Sequence, residues 1–269
     1  MAGGITPVQT RAMQSLSSIL LMVERGEQVH VALAKALTLA RHTGAHLELF
    51  LCETEPYLGE DSSIPAVRSA RDRCLERGQE YVRSLRDRIL CSDVPIASEV
   101  AWAPSLIQGI AEKLRRTPAQ MVVRAAGRFD AVMAAFARHF VNRSATPLLL
   151  TRGRPWQAAP RFAAVLNPGL RAGLISQIGQ LSELLRRRSG AQVEYAIAIT
   201  DGLPEIVGAR NYDLVVLALP PSAAAQDGAT ARLLQTSGVD VLLVGTAPVV
   251  SADSSATAAS VGSPARMPL

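Results

Sequence analysis

The chain has 269 residues, which suits one large domain or two ordinary ones at about 100–200 residues each, and its 48% hydrophobic and 19% charged content excludes a disordered chain. Aromatics are only 4%, so the core has to be built from Ala, Val, Leu and Ile. The formal charge of +5 raises nucleic acid or an anionic membrane as partners, but the excess is scattered and almost all Arg, with Lys35 and Lys113 the two lysines, so nucleic-acid binding is not expected.

The densest basic run, Arg186-Arg187-Arg188, falls at the end of a predicted helix just before Gly190, where cations suit the helix dipole and stay solvated. Cys52, Cys74 and Cys91 form no C-x-x-C pair and read as reduced thiols, with Cys52 placed in the core by its apolar surroundings. The apolar run Ile19–Val23 is too short for a signal peptide and leads directly into Glu24-Arg25. No stretch approaches the roughly 18 uninterrupted apolar residues of a membrane span, and the expected compartment is the cytoplasm.

After a polar lead over residues 1–16, Ser17 to Glu24 is a compact apolar run, as a strand buried on both faces requires. Val29 to His42 carries apolar residues at helical spacing (Val29, Leu33, Leu37, Ala40), and Gly44 closes it. Ala45 to Glu53 is a second strand. From about Ile64 to Leu90, Val67, Ala70, Cys74, Tyr81, Leu85 and Ile89 recur among many arginines, predicting a long amphipathic helix. Pro95 to Ala103 is a third strand. Pro104 then takes the first turn of a helix that ends near Thr117-Pro118. Met121 to Ala126 is a fourth strand, Ala131 to Asn142 a helix and Pro147 to Thr151 a fifth strand. This alternation predicts a doubly wound parallel sheet with helices on both faces.

Residues 154–160, rich in Pro and Ala, read as a linker, after which the programme restarts. Arg161 to Asn167 is a strand, Leu170 to Arg188 a helix, Gln192 to Ile199 a strand and Gly202 to Arg210 a short helix. Asp213 to Leu219 is a strand, Ala229 to Gln235 helical and Val239 to Gly245 the last strand. The expected division is therefore a first domain at 17–153 and a second at 161–248 that lacks the long second helix and the third strand. Residues 249–269, dominated by Ser, Ala, Thr, Gly and Pro, are an aperiodic tail expected to be disordered.

The opening strand Ile19–Glu24, the helix ending Ala40-Arg41-His42-Thr43-Gly44-Ala45, the strand to Cys52-Glu53 and the proline-led Pro147–Arg152 together resemble universal stress protein domains. Phe162–Pro168 and Val239–Val244 repeat the pattern, and the arrangement resembles the two-domain members over residues 17–248. The resemblance implies α/β units of strand order 3-2-1-4-5. In nucleotide-binding members an aspartate on strand one addresses the adenosine, and a G-x2-G-x9-G-[ST] loop after strand four wraps the phosphates. Glycines there let backbone N–H groups approach the phosphates unobstructed. The corresponding positions are Arg124, Gly127, Ala137 and Arg138 in the first half and Ala218, Pro221, Ala231 and Arg232 in the second. The strand-one acid is Glu24, replaced by Asn167 in the second half. ATP binding of the family type is not expected in either half. The first half leaves Glu24, Leu51, Arg124, Gly127 and Arg128 as candidate ligand-binding residues, able to hold an anion by charge.

No phosphate loop, dinucleotide-binding fingerprint or nucleophile elbow is present, so no catalytic residue is assigned and the chain is not expected to be an enzyme. His42 and His46 have metal spacing, but Gly44 breaks the helix between them and no metal site is expected. The fifth strands are apolar edges, so Leu148, Leu149 and Leu150 are expected to meet Val241 and Leu242 about a pseudo-two-fold axis. Loss of the third strand leaves the strand of Val193, Tyr195, Ile197 and Ile199 as an apolar edge. Its occupant is a second copy of the chain, the preferred choice, or an apolar ligand, or the helix of residues 64–90. The expected function is a non-enzymatic stress-response protein, without a cofactor, that binds a partner protein or an apolar ligand. The alternative is an adenine-nucleotide binder (ATP or AMP) with a degenerate first-domain site, a reading compatible with slow hydrolysis.

Overall fold

The computed structural model describes residues 16–54, 64–89, 93–126, 131–157, 159–166, 172–189, 191–197, 211–218 and 238–245. In chain order the first half runs β1 (Ser18–Val23), α1 (Gln28–Thr43), β2 (His46–Glu53), α2 (Pro65–Asp87), β3 (Ile96–Trp102), α3 (Leu106–Arg116), β4 (Met121–Ala125), α4 (Ala131–Arg143) and β5 (Leu148–Thr151). The second half follows as β6 (Arg161–Leu166), α5 (Ala172–Ser189), β7 (Gln192–Ile197), β8 (Leu214–Ala218) and β9 (Asp240–Val244). The expected short helices at 202–210 and 229–235, the lead and the tail lie outside the described residues.

The nine strands form one sheet in the order β3-β2-β1-β4-β5-β9-β8-β6-β7. The first half is the order 3-2-1-4-5, and β7-β6-β8-β9 repeats it as 2-1-4-5, with no third strand among the described residues. Every pairing within a half is parallel, whereas β5 meets β9 antiparallel, Leu148 opposite Leu243, Leu149 opposite Leu242 and Leu150 opposite Val241. Two apolar edges thus cover each other, and the halves share a sheet instead of merely facing one another.

The strands of the sheet's centre are nearly continuous apolar runs because both faces are covered. One face (Leu21, Leu49, Val123, Leu149, Phe162, Val216, Leu242) packs under α1, α2 and α5. Alternate residues (Met22, Phe50, Val122, Leu150, Val215, Leu243) point to the other face, where α3 and α4 lie. α1 ends as the sequence requires: Gly44 is left-handed at φ 72° and its N–H returns to the Ala40 carbonyl.

Two expectations are corrected. Pro104 precedes α3 and does not occupy its first turn; Ser105 is the cap, its Oγ accepting from the Gln108 N–H at 3.3 Å. A hydroxyl can satisfy a free helix N–H and proline cannot, which sets the start two residues later, at Leu106. The long helix, α2, packs on β2 and β3 of its own half through Cys74, Gly78, Val82 and Leu85, and does not serve as a cover for β7. Its buried stripe matches the strands beside which it is threaded by its short connection to β3.

Candidate functional site

In the order 3-2-1-4-5 the chain reverses its direction of travel across the sheet between β1 and β4, and the carboxyl ends of these strands flank the crevice where open α/β sheets take ligands. Arg124, near the end of β4, stands opposite Met22 and points to the α3–α4 face. Its guanidinium lies 4.1 Å from the centre of the Phe136 ring, and its Nε donates to Glu24 Oε1 at 2.5 Å. The Arg124 side chain is 10% exposed, that of Glu24 38%. Arg124 Nη1 is buried without a hydrogen-bond partner among the described residues. Beside the pair, Arg25 bridges to Glu53 and lies over Tyr81, whose hydroxyl donates to the Glu24 carbonyl at 3.3 Å.

The structure therefore brings together Glu24 and Arg124 from the predicted set, and makes them partners. A polyphosphate entering here meets a carboxylate, or must separate the pair and leave a desolvated guanidinium without its counter-charge. Leu51 is not at this place: 4% exposed, it sits in the core on the opposite face of the sheet. Gly127 and Arg128 lie outside the described residues.

On the same face as Arg124, a groove of about 780 Å³ runs between α3 and α4. Ile107, Ile110 and Leu114 form one wall, Phe136 and Phe140 the other, with the two rings stacked at 6.0 Å. Arg115, His139 and Arg143 also line it, as do Ser144 and Thr146. The spacings 107/110/114 and 136/140 are helical, but a stripe facing a groove and a stripe facing a core have the same period, so the sequence alone does not mark the groove.

Both lysines are buried, Lys35 at 3% and Lys113 at 1% exposure. Lys35 on α1 reaches across the junction to Asp240 of β9 at 2.7 Å and to the Arg152 carbonyl at 2.9 Å. Asp240 also accepts from the Arg152 N–H and from Trp156 Nε1, both at 2.6 Å. Burial pushes the Lys35 amine down and the Asp240 carboxyl up from their ordinary ranges, against their mutual attraction. A cavity of about 440 Å³ opens beside this network, between α1 and the 155–160 segment, with His30, His42 and Trp156 in its lining. Lys113 on α3 lies between Glu48 of β2 and Glu99 of β3. No spacing rule links such partners; only the sheet register does.

No group of three His, Cys, Asp or Glu side chains able to hold a metal gathers among the described residues. Cys52, expected in the core, is half-buried; burial, with Glu53 beside it, pushes its thiol up to about 11, the opposite of an activated nucleophile. No helix among the described residues is long and apolar enough to cross a membrane.

No protein-family model matches the chain, and no curated protein matches it. Solved structures do. A universal stress protein from Archaeoglobus fulgidus superposes with a TM-score of 0.60 at 10% identity, covering 86% of this chain and 97% of that one. A protein of unknown function from Pseudomonas aeruginosa PAO1 gives 0.57 at 18% identity, covering 87% and 94%. A putative universal stress protein from Pseudomonas aeruginosa UCBPP-PA14 gives 0.55 at 18% identity, covering 87% and 95%. The likeness runs across both halves, so the fold of this chain is that of the universal stress proteins.

Proposed function

We propose that this chain, built on the universal-stress-protein fold in tandem, is a non-enzymatic stress-response protein that works by holding an apolar ligand between α3 and α4. The groove of about 780 Å³ walled by Ile107, Ile110, Leu114, Phe136 and Phe140 carries this reading, since ligand sites are concave, largely apolar and of about 300–1,000 Å³. The Glu24–Arg124 pair supports the absence of family-type nucleotide binding, because the acid and the cation at the crevice neutralise each other. The same proposal divides the chain into domains at 17–153 and 161–248 joined by residues 154–160, and has it act in the cytoplasm as a homodimer.

The test is calorimetry with ATP alongside native mass spectrometry of the protein as purified. ATP should give no saturable heat at physiological concentrations, and the mass spectrum should show an apolar adduct that Leu114→Gln removes. A micromolar dissociation constant for ATP, lost in Arg124→Gln, would overturn the reading in favour of an adenine-nucleotide binder. One observation favours that second reading: the unpartnered Nη1 of Arg124, a buried donor beside the β1–β4 crevice.

A further inference from the structure

α3 connects β3 to β4 and α4 connects β4 to β5, all parallel strands of one sheet, so both helices run against the strands and end at the same end of the sheet. The groove between them is consequently polarised along its length. Its body is Ile107, Ile110, Phe136 and Phe140, and α3 with eleven residues is about 16 Å long. At the carboxyl ends of the helices the lining becomes Arg115 and Arg143, and no Asp or Glu contributes to it. Arg115 shares its charge with Glu112, which it meets at 2.8 Å, while Arg143 stands exposed at the last turn of α4. The hydroxyl of Ser144 completes this end.

We infer that the occupant of the groove is a long-chain carboxylate, its hydrocarbon chain along Ile107, Ile110, Phe136 and Phe140 and its anionic head at Arg143 and Arg115. This rests on the reading of the groove as a ligand site and adds the chemical class. An apolar wall alone does not distinguish a neutral from a charged amphiphile; two cations at one end with no acid in the lining do. The head would be held near the surface, where a carboxylate keeps part of its hydration and the arginines need not be desolvated.

Titration calorimetry of the full chain with decanoate and with 1-decanol, which share a tail and differ in the head, tests this. Decanoate should bind about tenfold more tightly, as one charge-assisted hydrogen bond would provide. The double variant R115Q/R143Q, altered only at the surface, should bring decanoate to the affinity of 1-decanol and leave 1-decanol unchanged. If the two bind equally and the double variant changes neither, the carboxylate assignment is wrong while the apolar groove stands. If neither binds, the groove reading falls with it.

Discussion

Lys113 shows what a single residue does in an Arg-rich chain. Its ammonium is compact enough to sit beneath α3 between Glu48 and Glu99, where a planar guanidinium would need more room. Arg116 approaches Glu99 from outside as its second cation. Burial pushes the Glu99 carboxyl up, but its hydrogen bonds from Lys113 and Arg116 and their charges outweigh that, and its net shift is downward. A depressed carboxylate stabilises the fold above its unfolded pKa of about 4.3, and that contribution is lost as pH falls through the folded value. Glu99→Gln should therefore cost on the order of 1 kcal/mol at pH 7 and less at pH 3, read from denaturant midpoints. An equal gap at both pH values would contradict the assignment. The acids 48 and 99 were plain in the sequence; their convergence on residue 113 was not, because it requires β2 and β3 to be paired with Glu99 opposite Phe50.

At the scale of elements, the contact between α4 and β9 joins the two halves on one face of the sheet. Gly245, just past β9, passes so close to the end of α4 that a Cβ there would lie 2.1 Å from the Val141 carbonyl oxygen and 2.9 Å from that of Ser144. Both obstacles are backbone and cannot rotate away. Gly245→Ala should cost about 1–3 kcal/mol in urea unfolding, and a change under about 0.5 kcal/mol would show that the approach relaxes freely. Most elements lie within a residue or two of their sequence prediction, since the 2 and 3.6 periods are local properties. The start of α3 shifted because a proline and a serine compete for the same boundary, and the serine's hydroxyl has a donor to accept from.

The whole molecule has two unlike sheet edges. β3 is shielded by α2 and carries Glu99 with its two cations, a charged edge that resists pairing. β7 has no strand beyond it among the described residues. On its α5 side Val193 is half-buried against the core and Tyr195 is 55% exposed. Each Å² of apolar surface covered there is worth about 25 cal/mol, which is the physical basis of the second copy proposed at this edge. Ile197, paired in backbone register with Leu166, continues the same strand. Tyr195→Asp should weaken self-association in sedimentation velocity without lowering the melting temperature. A wild-type chain that stays monomeric across the accessible concentration range would refute the dimer.

The order and type of the described elements, the repeat and the apolar fifth strands were written in the sequence, because periodicity, turn chemistry and composition act over a few neighbouring residues. Only the tertiary structure decided that Glu24 is paired with Arg124, that Lys35 clasps Asp240 across the junction and that α3 and α4 part to form a groove. Those partners lie 100 and 205 residues apart in the first two cases. Their meeting depends on strand order and register, which local patterns constrain but side-chain geometry completes.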